Sequence, residues 1–377
     1  MEPLVIKEPQ FDAPQAVSDS RTNLVGIGKE EMKGFVTSVG LEPFRAKQLW
    51  RWIYKRGMTE FDVMSDMGKQ ARELLEQHCF IERGERTSDQ LSKDGTRKWL
   101  LKFADGNEIE TVYIPEAERG TLCISSQVGC TLACTFCHTG TQRLVRNLTA
   151  AEIVGQVLAA NDAMEEWPIN PETRKITNIV FMGMGEPLFN YEHVKTACKL
   201  LTDGEGLSLS RKKVTVSTSG VVPEIYKLAD EVGVNLALSL HAVHDDLRDE
   251  IVPINRKYKL KEVMEACHYY AAKYPSQRIL IEYVMLAGVN DSDADAHALI
   301  ALLQGLPVKV NLIPFNPWPG SPYECSSNNR IHKFAQILAD AHISVPIRKT
   351  RGQDILAACG QLKSASERKK GQKVKLS

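Results

Sequence analysis

From about residue 121 onward the chain alternates short apolar runs with amphipathic stretches, and this alternation limits the fold more than any other feature. Runs at 176–182, 214–217, 234–240, 278–284, 308–314 and 345–348 read as buried strands. Stretches at 191–201, 222–230, 259–274, 293–303 and 329–341 carry the three-to-four-residue spacing of helices. A strand that returns through a helix enters the sheet in the same direction, so such units pair in parallel. The pattern predicts an α/β fold, a (β/α) sheet closed or partly closed as a barrel. Its chemistry belongs in the loops at the C-terminal ends of the strands.

The first 115 residues read differently. Residues 1–22, with Pro3, Pro9 and Pro14, have no apolar period and read as a disordered lead-in. Met32, Phe35, Val36 and Val39 then follow helical spacing, and further helices are expected at 43–56 and 65–78. The Asp94-Gly95 and Asp105-Gly106 turns bracket strands at 97–103 and 108–114, a small antiparallel sheet. The predicted organisation is an accessory α+β domain over 23–115, a core over 116–362 and a basic tail over 363–377. The helix at 43–56 interleaves Phe44, Trp50, Trp52 and Tyr54 with Arg45, Lys47, Arg51, Lys55 and Arg56. Such a surface suits looped RNA, through stacking and phosphate contact. It equally suits a core helix with an apolar inner face.

Formal net charge is zero, so overall charge names no partner. From Val345 to Ser377, however, nine Lys and Arg face two acidic residues, a mild pointer to a phosphate-rich partner. No apolar run is long enough to span a membrane, and the N-terminus lacks a signal-peptide core. A cytoplasmic protein with no membrane contact is expected. Nine cysteines in such a chain point to metal binding or catalysis rather than structural disulfides.

Three of them, Cys130, Cys134 and Cys137, fall within eight residues. Three thiolates suit an iron–sulfur cluster with one iron left open. With His138 they also suit a Cys₃His zinc site. Gly183-Met184-Gly185-Glu186-Pro187 follows the strand at 176–182. Its glycines would let the backbone approach a ligand, and Glu186 would accept from an ammonium group.

The CxxxCxxC loop, with Phe136 before its last cysteine, resembles the signature of the radical S-adenosylmethionine (SAM) superfamily. The chain is more closely similar to one subfamily, the dual-specificity 23S rRNA and tRNA adenine C2-methyltransferases. Blocks in order carry that resemblance: PFRA at 43–46, ETVYIP at 110–115, 121–134, 178–188, VTVSTSGVVP at 214–223 and ALSLHA at 237–242. RDEIVPIN at 248–255, IEYVML at 281–286, NLIPFNP at 311–317 and 348–362 complete them, so it spans roughly residues 25–365.

The resemblance implies a partial-barrel radical SAM core with one 4Fe–4S cluster per chain on Cys130, Cys134 and Cys137. It places SAM against Gly185, Glu186, Ser217, Ser239, Leu240, His241 and Asn316. Cys359 would be the cysteine that becomes S-methylated, Cys123 its resolving partner and Glu110 the proton acceptor. The implied substrates are an adenine in the peptidyl transferase centre of 23S rRNA and adenine 37 of a subset of tRNAs. An external flavodoxin-like electron donor and a monomer are further implied. C2 of adenine has no useful lone pair, so the methyl must come by a radical route that side chains alone cannot supply. Two SAM molecules would be used per turnover. An adenine C8-methyltransferase of the same mechanism, a non-methylating iron–sulfur redox protein and a zinc-stabilised RNA-binding module are the alternatives.

Overall fold

In a computed structural model, which describes residues 20–366, nine strands form one sheet. The chain starts with β1 (Thr22–Asn23), then α1 (Lys29–Ser38), α2 (Arg45–Tyr54) and α3 (Lys69–His78). Next, β2 (Cys79–Phe80) pairs in parallel with β1 and ties the helices into a unit. Thr22, expected inside the lead-in, is thus already paired with Cys79. Residues 1–19 of the lead-in and 367–377 of the basic tail lie outside the described residues.

An antiparallel meander follows: β3 (Glu85–Leu91), β4 (Arg97–Lys102) and β5 (Glu108–Glu116). Both predicted Asp-Gly turns are present, with Gly95 and Gly106 at φ 85° and 83°. These strands do not stand apart as a small sheet. β6 (Arg119–Cys123) is antiparallel to β5 and parallel to the first core strand, so meander and core share one sheet. β7 (Gln127–Val128) and β8 (Arg146–Asn147) pinch the base of the cysteine loop. The core then runs α4 (Ala150–Ala163), β9 (Asn178–Phe181), α5 (Tyr191–Thr202), β10 (Val214–Thr218), α6 (Val222–Glu231) and β11 (Asn235–Ser239). After it come α7 (Asp245–Ile251), α8 (Leu260–Lys273), β12 (Ile279–Met285), α9 (Asp293–Leu302), β13 (Val308–Pro314) and α10 (Asn328–Asp340). The sheet order is β13-β12-β11-β10-β9-β6-β5-β4-β3. Its six core strands are all parallel, an open partial barrel whose antiparallel extension leaves from β6.

The strand expected at 345–348 does not form. Ser344 and Ile347 make only isolated bridges to β13. Val310 N donates to Ser344 O, Leu312 N to Pro346 O and Arg348 N to Leu312 O. The missing rung falls at Pro346, which has no N–H to give. Among the described residues no helix is long and apolar enough to cross a membrane.

On α2 the aromatics belong to the core. Trp50, Trp52 and Tyr54 are buried, and their polar atoms bond Asp203, Asp66 and Gly26. Only Phe44, at the head of the helix, keeps an exposed ring.

Candidate functional site

The cysteine loop leaves β7 through Gly129, whose φ of 77° is the left-handed conformation glycine tolerates. A Cβ there would sit 2.4 Å from the carbonyl oxygen of Arg143, so the loop closes tightly at its base. Burial raises the pKa of all three thiols; at Cys130 and Cys134 the neighbouring thiols of the set push further the same way. Such a loop is unfavourable as free thiolates, and positive iron reverses that balance. Among the described residues no three ligating side chains converge on a single-ion position. Ligands of a cubane cluster each take a different iron and need no such convergence. His138 is engaged elsewhere: its ring stacks on Trp318 at 4.9 Å and its Nδ1 faces Gln361 O at 3.2 Å. The donor set therefore fits an iron–sulfur cluster better than Cys₃His zinc.

Beside Cys137 a cavity opens at the C-terminal ends of the core strands. Its wall includes Gly185, Glu186, Ser217, Ser239, His241 and Cys359. Gly185 has φ 101°, and a Cβ on it would meet that of Gln127 at 2.5 Å. If the cavity takes SAM, as the resemblance implies, Gly185→Ala is expected to weaken that binding at least about tenfold and to lower the melting temperature, since strain and clash coincide at one residue. Titration with S-adenosylhomocysteine and a thermal melt would check both.

Glu186 is buried. Its Oε2 accepts from Ser219 N at 2.8 Å and its Oε1 from Leu188 N at 3.1 Å, while burial raises its pKa. A cationic group in the cavity would restore the charged form. The hydroxyls of Ser217 and Ser239 lie 3.3 Å apart on neighbouring strands. His241 accepts from Val284 N through Nδ1, and burial lowers its pKa to about 3. It is thus a neutral ring with its donor on Nε2.

Leu240 and Asn316 take other places. The Leu240 side chain lies in the apolar core, and its backbone bonds Glu282 O and Arg248 Nε. Asn316 holds the Cys359 loop: its Nδ2 donates to Cys359 O at 3.2 Å, and its Oδ1 accepts from Thr350. Cys123, at the end of β6, is buried, and its thiol is pushed up to about 12 by burial and by the neighbouring Cys359. The fold thus brings two thiols 236 residues apart within electrostatic reach of each other. Glu110, on β5, pairs with Lys98 Nζ at 2.8 Å and accepts from Lys363 N at 2.9 Å, behind the loop rather than on the cavity wall.

Sequence reasoning passed over three residues. Gln127 accepts from the backbone N–H groups of Thr131 and Glu186 and so joins the cysteine loop to the glycine loop. Arg248 is fully buried beneath the ends of β10 and β11. Glu282 lines the cavity from β12. A polar residue in the middle of an apolar run is a signal that only Glu282 gives.

Residues 22–81 match the ribosomal RNA large subunit methyltransferase N-terminal domain, and residues 124–300 match the Radical SAM superfamily. The Dual-specificity RNA methyltransferase RlmN of Rhodospirillum rubrum is 57% identical over 369 residues, 98% of this chain and 86% of that protein. The protein of the same name from Zymomonas mobilis is 56% identical, covering 93% of this chain and 91% of its own. Among solved structures, a radical SAM methyltransferase from Sphaerobacter thermophilus superposes with a TM-score of 0.85 at 42% identity. That match covers 90% of this chain and 99% of the other.

Proposed function

The chain belongs to the RlmN family of dual-specificity RNA methyltransferases, within the radical SAM superfamily, and on that premise we propose that it methylates C2 of adenine in RNA. The substrates are an adenine in the peptidyl transferase centre of 23S rRNA and adenine 37 of a subset of tRNAs. The observation that carries this reading is the position of Cys359 on the wall of the cavity that Glu186 and Ser239 line.

Members of this superfamily use a 4Fe–4S cluster and SAM, which when bound supply the reducing electron, the methyl group and the radical chemistry. Cys130, Cys134 and Cys137 hold the cluster. Glu186 takes the ammonium of SAM, and the two serines lie further along the same wall. Cys359 receives the methyl on sulfur, and Asn316 fixes the loop that carries it. Glu110 takes the C2 proton once the Lys363 amide has moved from its Oε2. On the N-terminal unit, exposed Phe44 packs against Arg45 at 4.7 Å, and Arg51, Lys55 and Arg56 face solvent for phosphate contact. An external flavodoxin-like donor, a monomeric state and a cytoplasmic location complete the proposal.

Cys359 is exposed as a residue, yet desolvation of its thiol by the surrounding protein raises its pKa, while Arg348 opposes the shift. Methyl transfer needs the thiolate. The S-methylation rate is therefore expected to climb about tenfold per pH unit between 7 and 8.5, where the thiol form dominates. Peptide mass spectrometry of Cys359 after timed incubation with SAM would measure it. A flat profile would mean that a local base removes the proton.

The function itself is tested with anaerobically reconstituted protein, SAM, a reductant, an rRNA fragment and a tRNA, followed by nucleoside analysis. 2-Methyladenosine in both RNAs is the expected product. 8-Methyladenosine would overturn the position, and no methylated nucleoside at all would favour an electron-transfer protein.

A further inference from the structure

Glu282 sits within β12, 3% exposed, on the wall of the same cavity. Its Oε1 is occupied: Asn311 Nδ2 donates to it at 2.6 Å, and Arg348 Nη2 stands 3.5 Å away. Its Oε2 is buried and accepts from nothing. A carboxylate oxygen is an acceptor only, and an acceptor kept dry without a donor is costly. In a pocket wall such an atom marks where a ligand's donor belongs.

Neighbouring groups narrow the donor. Crossing the strand ends, the cavity presents Glu186 after β9, Ser217 on β10, Ser239 on β11 and Glu282 on β12. It then becomes apolar at Ile313 and Phe315. Ser239 and Glu282 are paired in register, so both side chains leave the sheet on the same face. An adenosyl amino acid carries the same order of groups: a cationic amine, then a vicinal diol, then a flat base. The diol has two O–H donors, and Ser217, Ser239 and the open carboxylate oxygen are acceptors on the wall between Glu186 and the apolar end.

We propose that Glu282 Oε2 accepts a hydrogen bond from a ribose hydroxyl of the adenosyl group, which makes Glu282 a residue that selects a ribonucleoside. This rests on reading the cavity as the SAM pocket. A hydroxyl bonded to a charged acceptor in a dry site is the kind of contact whose deletion is felt strongly on both sides. Asn311 keeps the other oxygen in place, so the carboxylate is already oriented before ligand arrives.

The test uses the full-length, anaerobically reconstituted protein and calorimetric titration. S-adenosylhomocysteine first reports whether the pocket takes an adenosyl ligand. 5′-Deoxyadenosine is then compared with its analogues lacking the 2′- or the 3′-hydroxyl. In wild type, one of the two analogues is expected to bind at least about tenfold more weakly than the parent. In Glu282→Gln the parent itself should weaken about tenfold, and loss of that same hydroxyl should then cost little, as a ligand–residue double-mutant cycle requires. If both analogues bind wild type like the parent, the inference is overturned without recourse to any variant. It is equally overturned if Glu282→Gln still discriminates, or if the variant instead becomes blind to removal of the 6-amino group. Failure of wild type to bind S-adenosylhomocysteine would remove the pocket reading, and the inference with it.

Discussion

Cys359→Ala is expected to abolish RNA methylation, by at least about 10³-fold, while leaving S-adenosylhomocysteine binding and the visible absorption of the cluster intact. Cys359 reaches the cavity wall on a loop that Asn316 holds through the backbone carbonyl, so truncating the side chain does not touch the loop's anchor. Cys123→Ala should fail differently. On the proposed mechanism, release would form a bond between the Cys123 and Cys359 sulfurs and break the carbon–sulfur bond to the RNA. The electron pair stays on the methylene carbon, which takes up a proton to become the methyl group. The disulfide must then be reduced by two electrons from the external donor before another turnover. Without Cys123 the carbon–sulfur bond persists, and the enzyme should remain covalently attached to its RNA. A denaturing gel with labelled RNA would show a protein-sized shift in Cys123→Ala, none in Cys359→Ala and only a trace in wild type. Methylation by Cys359→Ala at the wild-type rate would remove Cys359 from the reaction. Free turnover by Cys123→Ala would remove the resolving role and leave Cys359 in place.

The two cysteines also mark how far residues could be read without coordinates. Strand and helix runs with a clean period appeared nearly where expected: β13 matches the predicted 308–314, and α5 differs from 191–201 by one residue at its end. The misses have local causes. α4 is buried on almost every side, so it has no polar stripe to reveal a 3.6-residue period. Its signal was the cap, where Thr149 Oγ1 accepts from Glu152 N and Glu152 answers Thr149 N. β3 has the opposite difficulty: an edge strand exposed at every position but the half-buried Ser88 has no apolar face to alternate. At the site, the cysteine spacing and the Gly-Glu turn stood out because their chemistry is packed into a few residues. The partnership of Cys123 with Cys359 came only through the family resemblance, since no local spacing links positions so far apart. Leu240 and Asn316 were assigned by block, and the contacts seen for them are with protein groups: Leu240 O accepts from Arg248, and Asn316 donates to Cys359 O.

Arg248→Ala is expected to cost about 3–5 kcal/mol of stability, since several buried acceptors lose their donor at about 1–3 kcal/mol each, partly offset by removing a buried charge. Arg248 is 0% exposed, and its pKa is lowered by desolvation to about 10, so it stays charged at neutral pH. Its Nε donates to Leu240 O at 3.0 Å, its Nη1 to Asn255 Oδ1 at 2.9 Å, and its Nη2 to Ser219 O at 2.7 Å and Ser239 O at 3.2 Å. Three of those acceptors are backbone carbonyls where β10 and β11 end, next to Ser217, Ser239 and His241. One guanidinium thus fixes the separation of two strand ends on which the proposed SAM pocket depends. Removing it strands those carbonyls in a dry interior, where each lost partner carries a desolvation penalty. A melting temperature lower by roughly 10 °C should follow for a chain of this size. Arg248→Lys should recover only part of it, because an ammonium on a flexible stem cannot reach acceptors on opposite sides of a planar fork. The affinity for S-adenosylhomocysteine should fall in the same order, wild type above Lys above Ala. If Arg248→Ala melted within a degree or two of wild type, the carbonyls would have found other donors. The strand ends would then be held by the sheet alone.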